Sequence, residues 1–172
     1  MLRTYAHKKV LDFSKYLNIP IINGLTDLNH PCQIMSDIMT FEELKGPIKN
    51  KKITWLGDGN NTVYSLIEAS VKFEFELSIA CPKGYEPNKN ILNWAKKNKS
   101  KISVTKNPIT SVQEADCVMT DKWISMSDKN NKNKKIKALK PYQVNKKIMK
   151  HAKKDSIFLH CLPANRGSEV TN

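Results

Sequence analysis

Arginine is almost missing from this chain. Of its 29 basic residues only Arg3 and Arg166 carry a guanidinium, and lysine supplies the rest of a formal net charge of +13. Sequence-specific readers of nucleic acid rely on arginine forks and aromatic stacking, so the lysine- and asparagine-rich stretches over 93–101 and 129–140 read as solvated surface and no nucleic-acid partner is expected. Paired cysteines are missing as well. Cys32, Cys81, Cys117 and Cys161 stand far apart with no CxxC unit, which argues against a disulfide framework or a zinc site and fits a reducing, cytoplasmic setting. No apolar run has the length of a membrane span, and no signal-peptide pattern precedes the first helix, so no membrane partner is expected either. An entry cap for that first helix is also lacking: Met1 opens straight into an amphipathic pattern, as if a longer chain had been cut there.

What is present suffices for a folded core. The chain has 172 residues, 40% of them hydrophobic, enough for one domain or one domain plus a piece of another. Over 5–17, Val10, Leu11, Phe13, Tyr16 and Leu17 fall near helical spacing. Asn18-Ile19-Pro20 stops that helix and a brief strand is predicted over 19–22. Pro31 then marks the start of a helix over 32–44, with Ile34, Met35, Ile38, Met39 and Phe41 available for packing. Gly46-Pro47 ends it and forms the natural boundary between residues 1–46 and 47–172. Beyond it, strands are predicted over 52–57, 75–81, 101–105, 117–121 and 156–161, and helices over 61–73, 88–99, 109–115 and 142–153. Such alternation specifies an α/β fold with a doubly wound parallel sheet.

In open parallel sheets, ligands bind beyond the carboxyl ends of the strands, where GDGNN, CPKGYEP, TDKWISMS and HCLPANRG all fall. The first of these, within KITWLGDGNNTVYS, is a glycine turn between a strand and a helix. Its Asn61 can offer a donor and an acceptor to a small polar ligand, or Asn60 or Asn61 can simply cap the helix. Dinucleotide binding is disfavoured. The third glycine position is Thr62, and the second strand ends Ile79-Ala80-Cys81-Pro82 with no acid to grip a ribose. Asp121 can hold a substrate ammonium or form a turn, with Trp123, Ser125 and Met126 on the same loop. Cys161, next to His160, reads either as a thiol at the reacting centre or as a small buried hydrophobe. His30 and Gln33 flank a helix start, where an anion or a carbonyl oxygen is favoured; their plainer reading is a capping histidine and a surface glutamine.

HPCQ, GDGNN, PKGYEP, DKWISMS, PYQVN and HCLPANRG, in this order and at these gaps, resemble the ornithine carbamoyltransferases over essentially the whole chain. The resemblance implies transfer of a carbamoyl group from carbamoyl phosphate to the δ-amine of L-ornithine, giving citrulline and phosphate, with no metal or other cofactor. It places Arg3, His30, Gln33, Cys161 and Leu162 at carbamoyl phosphate, and Asn61, Asp121, Ser125 and Met126 at ornithine, with Cys161 and Asp121 nearest the chemistry. It implies that residues 1–46 end a carbamoyl-phosphate domain, that residues 47–172 are most of an ornithine domain, and that family members form homotrimers. Met126 would begin a loop to Lys140 that closes over ornithine. There are departures. Ser127 replaces the glycine of SMG, Asn165 replaces a histidine, and the Ser-Thr-Arg-Thr phosphate loop and the final helical region have no counterpart here. The expectation is therefore a fragment of an active transferase. An inactive ornithine-binding remnant, or a transferase for another amine such as putrescine, are the alternatives.

Overall fold

A computed structural model of the chain describes residues 1–124 and 131–172. Its centre is a five-stranded, wholly parallel sheet in the order β5-β4-β3-β6-β7. The strands are β3 (Lys52–Leu56), β4 (Glu76–Ala80), β5 (Ile102–Thr105), β6 (Cys117–Thr120) and β7 (Ile157–His160). The chain runs outward from β3 to β5, then returns to lay β6 against the other side of β3. This reversal opens a crevice between the carboxyl ends of β3 and β6, where a doubly wound sheet offers room for a ligand.

Parallel strands buried on both faces need apolar residues of both parities, and β3 has them. Ile53 and Trp55 pack with Ile34, Ile38 and Phe41 of α2 (Pro31–Lys45) and with Val63, Leu66 and Ile67 of α3 (Asn61–Phe73). Leu56 turns to the opposite face. It joins Val118, the Val112 of α5 (Pro108–Val112) and the Ile148 of α7 (Lys146–Met149). The remaining helices are α1 (His7–Tyr16), α4 (Lys89–Lys97) and α6 (Lys132–Leu139). A separate parallel pair, β1 (Leu2–Arg3) with β2 (Asn23–Leu25), precedes them.

Several expectations are corrected here. The strand predicted over 19–22 forms instead at Asn23–Leu25, because its partner, Leu2–Arg3, selects the register. Of the apolar positions of α1 only Val10 is buried; Leu11, Phe13, Tyr16 and Leu17 are exposed, as are Met35 and Met39 of α2. The helix expected over 142–153 shrinks to Lys146–Met149. Val144 is held extended by its bonds to Glu169 O and from Thr171 N, and Asn145 caps what remains by accepting from Ile148 N. The lysine-rich segment to Lys140, expected as loop, contains α6. Lys135 and Leu139, four apart, turn inward there, and the Lys135 ammonium pairs with Asp58 at 2.7 Å.

The glycine turn after β3 has two distinct requirements. Gly57 sits at φ +135°, a conformation that side chains rarely adopt. Gly59 donates its N–H to Tyr85 O at 2.7 Å, so close that an added Cβ would lie 2.5 Å from Pro87 N. The 82–87 loop is thereby laid against the turn. Gly59→Ala is expected to lose about 2 kcal/mol by overpacking this contact. A urea midpoint equal to wild type would refute the assignment.

Candidate active site

Register brings the site together. Thr120 pairs with His160, and Thr120 Oγ1 donates to Leu56 O at 2.6 Å, so the ends of β3, β6 and β7 are level. The next residue on each is Gly57, Asp121 and Cys161. Asp121 therefore lies in the crevice between β3 and β6, and among the described residues its carboxylate accepts two hydrogen bonds on each oxygen. Asn60 Nδ2 (2.9 Å) and Thr62 Oγ1 (3.1 Å) donate to Oδ2; Lys122 N (2.6 Å) and Cys161 Sγ (2.7 Å) donate to Oδ1.

The two asparagines divide their work. Asn60 is the cap of α3, accepting from Thr62 N and Val63 N, a contribution of about 1 kcal/mol. Asn61 does not cap. Its amide reaches away from the sheet to donate to Thr26 O at 2.7 Å. Thr62, whose bulk argued against a dinucleotide, uses its hydroxyl on Asp121. Cys161 is a thiol here. Burial and the adjacent Asp121 carboxylate both push its pKa upward, which opposes a thiolate nucleophile.

On the opposite side, His30 precedes α2. It makes no side-chain cap, its backbone N–H donates to Ser65 Oγ at 2.9 Å, and its ring Nδ1 is buried with no hydrogen-bond partner among the described residues. Burial first, then the charge of Arg3, lowers the His30 pKa, so the ring is a neutral imidazole at pH 7. Arg3 itself is exposed on β1. Gln33 is not a free surface residue: Nε2 donates to Asp37 Oδ1 at 3.0 Å, which leaves its carbonyl oxygen for other partners. Leu162 is exposed and holds φ +54°, an unusual value for a branched residue. Its N–H donates to His160 Nδ1 at 2.9 Å. Ser125, Met126 and Ser127 lie outside the described residues.

Residues 49–172 match the family described as aspartate/ornithine carbamoyltransferase, Asp/Orn binding domain, and residues 1–43 match its carbamoyl-P binding domain. The chain belongs to the aspartate/ornithine carbamoyltransferase family. It is 49% identical to an ornithine carbamoyltransferase of Mesorhizobium japonicum over all 172 residues, covering 56% of that protein. The corresponding figures for the Rhizobium meliloti protein of the same name are 48% and 56%. Among solved structures, ornithine carbamoyltransferase from Pyrococcus furiosus matches with a TM-score of 0.92 at 43% identity, over 99% of this chain and 56% of that one. The anabolic ornithine carbamoyltransferase from Campylobacter jejuni matches with a TM-score of 0.91 at 35% identity, over 98% of this chain and 57% of that one. The chain thus spans little more than half the length of the curated relatives it matches.

The structure adds polar residues that sequence reading passed over. Glu169 is fully buried, accepts from Asn165 N at 2.5 Å and lies 3.4 Å from His160 Nε2. Asn165, the departure from the family histidine, thus contributes its backbone to the loop. Asp37 was visible as a carboxylate on the apolar face of α2, four residues after Gln33, and it borders a small cavity lined by Ile38, Phe41, Cys117 and Met119. Burial, opposed by the Gln33 bond and aided by Asp121, pushes its pKa from 3.8 to about 6.

This shift has a definite sign. Between pH 4 and about 6 the native chain keeps a proton on Asp37 that the unfolded chain releases, so stability falls as pH rises through that window, by about 3 kcal/mol. Asp37→Asn retains an acceptor for Gln33 and removes the ionisation. It should raise the urea midpoint at pH 7.5 and leave it nearly unchanged at pH 4. A wild-type stability curve that does not decline across the window would contradict the buried-acid assignment.

Proposed function

We propose that this chain carries the ornithine side, and part of the carbamoyl-phosphate side, of an ornithine carbamoyltransferase site. Residues 1–46 supply Arg3, His30 and Gln33 to carbamoyl phosphate, together with Cys161 and Leu162 of the second unit. Residues 47–172 supply Asn61, Asp121, Ser125 and Met126 to L-ornithine. The assembly is a cytoplasmic homotrimer, a reading supported by the exposed apolar side chains of α1, which suit burial against further protein surface.

The observation that supports the reading is that His30 lies within electrostatic reach of both Arg3 and Asp121, so that groups suited to an anion and to an amine share one neighbourhood. Asp121 stands on the amine side with a thiol hydrogen-bonded to it. A neutral imidazole, a guanidinium and the start of α2 stand on the anion side. An ornithine δ-ammonium must shed a proton before it can attack, and an adjacent carboxylate both binds the cation and orients the resulting amine. The amine nitrogen bonds to the carbamoyl carbon, the carbonyl oxygen gains negative charge, and the bond from carbon to the phosphate oxygen then breaks. A neutral His30 can donate a hydrogen bond to that oxygen, and Arg3 offsets the charge of the departing phosphate, which takes up the proton lost by nitrogen. Gln33, with its amide nitrogen committed to Asp37, presents an acceptor suited to the carbamoyl NH2.

Citrulline formation from carbamoyl phosphate, compared for ornithine, putrescine and aspartate, tests the proposal, and faster turnover with putrescine would overturn the substrate. Calorimetric binding of ornithine with no citrulline formed would leave binding and remove transfer. Asp121→Asn should lower turnover by about 100-fold or more while carbamoyl-phosphate affinity changes little. Equal losses in both would take Asp121 off the amine side. Cys161→Ser should weaken ornithine use about tenfold without a change in fold, and an unaffected enzyme would return this thiol to packing.

A further inference from the structure

Three polar residues of α3 sit at spacings of four and three, which places them on one face of the helix. All three reach the same segment, residues 26–30. Asn61 Nδ2 donates to Thr26 O at 2.7 Å, Ser65 Oγ accepts from His30 N at 2.9 Å, and both carboxylate oxygens of Glu68 accept from Asn29 Nδ2 at 3.1 Å. The segment is itself closed on Thr26, whose Oγ1 accepts from Leu28 N and Asn29 N and meets His7 Nδ1 at 3.0 Å. Thr26, Asn29 and Ser65 are all buried. His30, at the end of this segment, spends no side-chain atom on capping α2, so its placement comes through its backbone and its neighbour.

We propose that Glu68 and Ser65 are positioning residues for His30, holding the 26–30 segment so that the imidazole is delivered to the anion side of the site. The inference rests on the reading of His30 given above. Glu68 acts through Asn29 and Ser65 through the His30 amide; neither touches a reacting atom. Burial raises the Glu68 pKa while the Asn29 bond lowers it, so this carboxylate is held at a half-buried seam at some cost.

The test uses the 172-residue chain labelled with 15N, in Glu68→Ala, Glu68→Gln and Ser65→Ala forms. Glu68→Ala should speed amide exchange at Asn29 and His30 about tenfold and shift the His30 ring resonances, with β4 amides unchanged as the check on folding. It should weaken carbamoyl-phosphate binding roughly tenfold and leave ornithine binding within about twofold. Glu68→Gln keeps an acceptor for Asn29 and should restore most of both losses. Ser65→Ala should speed exchange at His30 in the same way. Unchanged exchange and ring shifts in Glu68→Ala, or equal losses in the Ala and Gln forms, would overturn the proposal. A wild-type chain that binds no carbamoyl phosphate would defeat the reading of the phosphate side, and the exchange and ring data would still decide the positioning role.

Discussion

The Asp121 carboxylate is the constraint on which the rest depends. Acceptors withdrawn from water must be met by donors, and here the donors come from separate strand ends: Asn60 and Thr62 after β3, Lys122 after β6 and Cys161 after β7. Meeting that demand fixes the glycine turn, the start of α3 and the loop after β7 relative to one another. It also determines which chemistry the crevice can host. With a carboxylate standing at the switch point of the sheet, the pyrophosphate that a glycine turn at this position otherwise invites would be repelled, whereas a cationic amine would be attracted.

The fold was legible where local and global signals agree. Ile53, Trp55 and Leu56, followed by two glycines and an asparagine cap, specify a strand, a turn and a helix by any reading, and β3 and α3 formed there. It was illegible where a distant partner decides. The pairing of Asn23–Leu25 with Leu2–Arg3 cannot be read from either segment alone. Nor can α6, whose inward face consists of one lysine and one leucine, because the burial of Lys135 requires Asp58, more than seventy residues earlier in the chain. The PYQVN stretch looked like the opening of a long helix; the C-terminal residues 169–171 hold it extended.

The candidate site divides along the same line. Residue types marked Asp121, Cys161 and His30 as candidates, each beside a plainer use as a turn former, a small buried hydrophobe or a helix cap. Their states were not announced. Whether Cys161 is a thiol or a thiolate depends on burial first and then on its neighbour Asp121, which acts by both charge and hydrogen bond. Whether His30 is charged depends on burial and on Arg3. Spacing along a chain carries no information about which ionisable groups end up facing one another, and in this site those juxtapositions set the protonation.

Asn61 illustrates the last step. Read from sequence, it was either a ligand contact or a cap; the structure gives the cap to Asn60 and bonds Asn61 Nδ2 to Thr26 O. A carboxamide carries two N–H donors and an acceptor oxygen, so the bond to Thr26 O uses one N–H and leaves the other N–H and Oδ1 for a further partner. A ligand met by the second N–H or by the oxygen leaves all three attachments between α3 and residues 26–30 in place, those of Asn61, Ser65 and Glu68. One face of α3 thereby holds the segment that carries His30 while its first residue keeps hydrogen-bonding capacity in reserve.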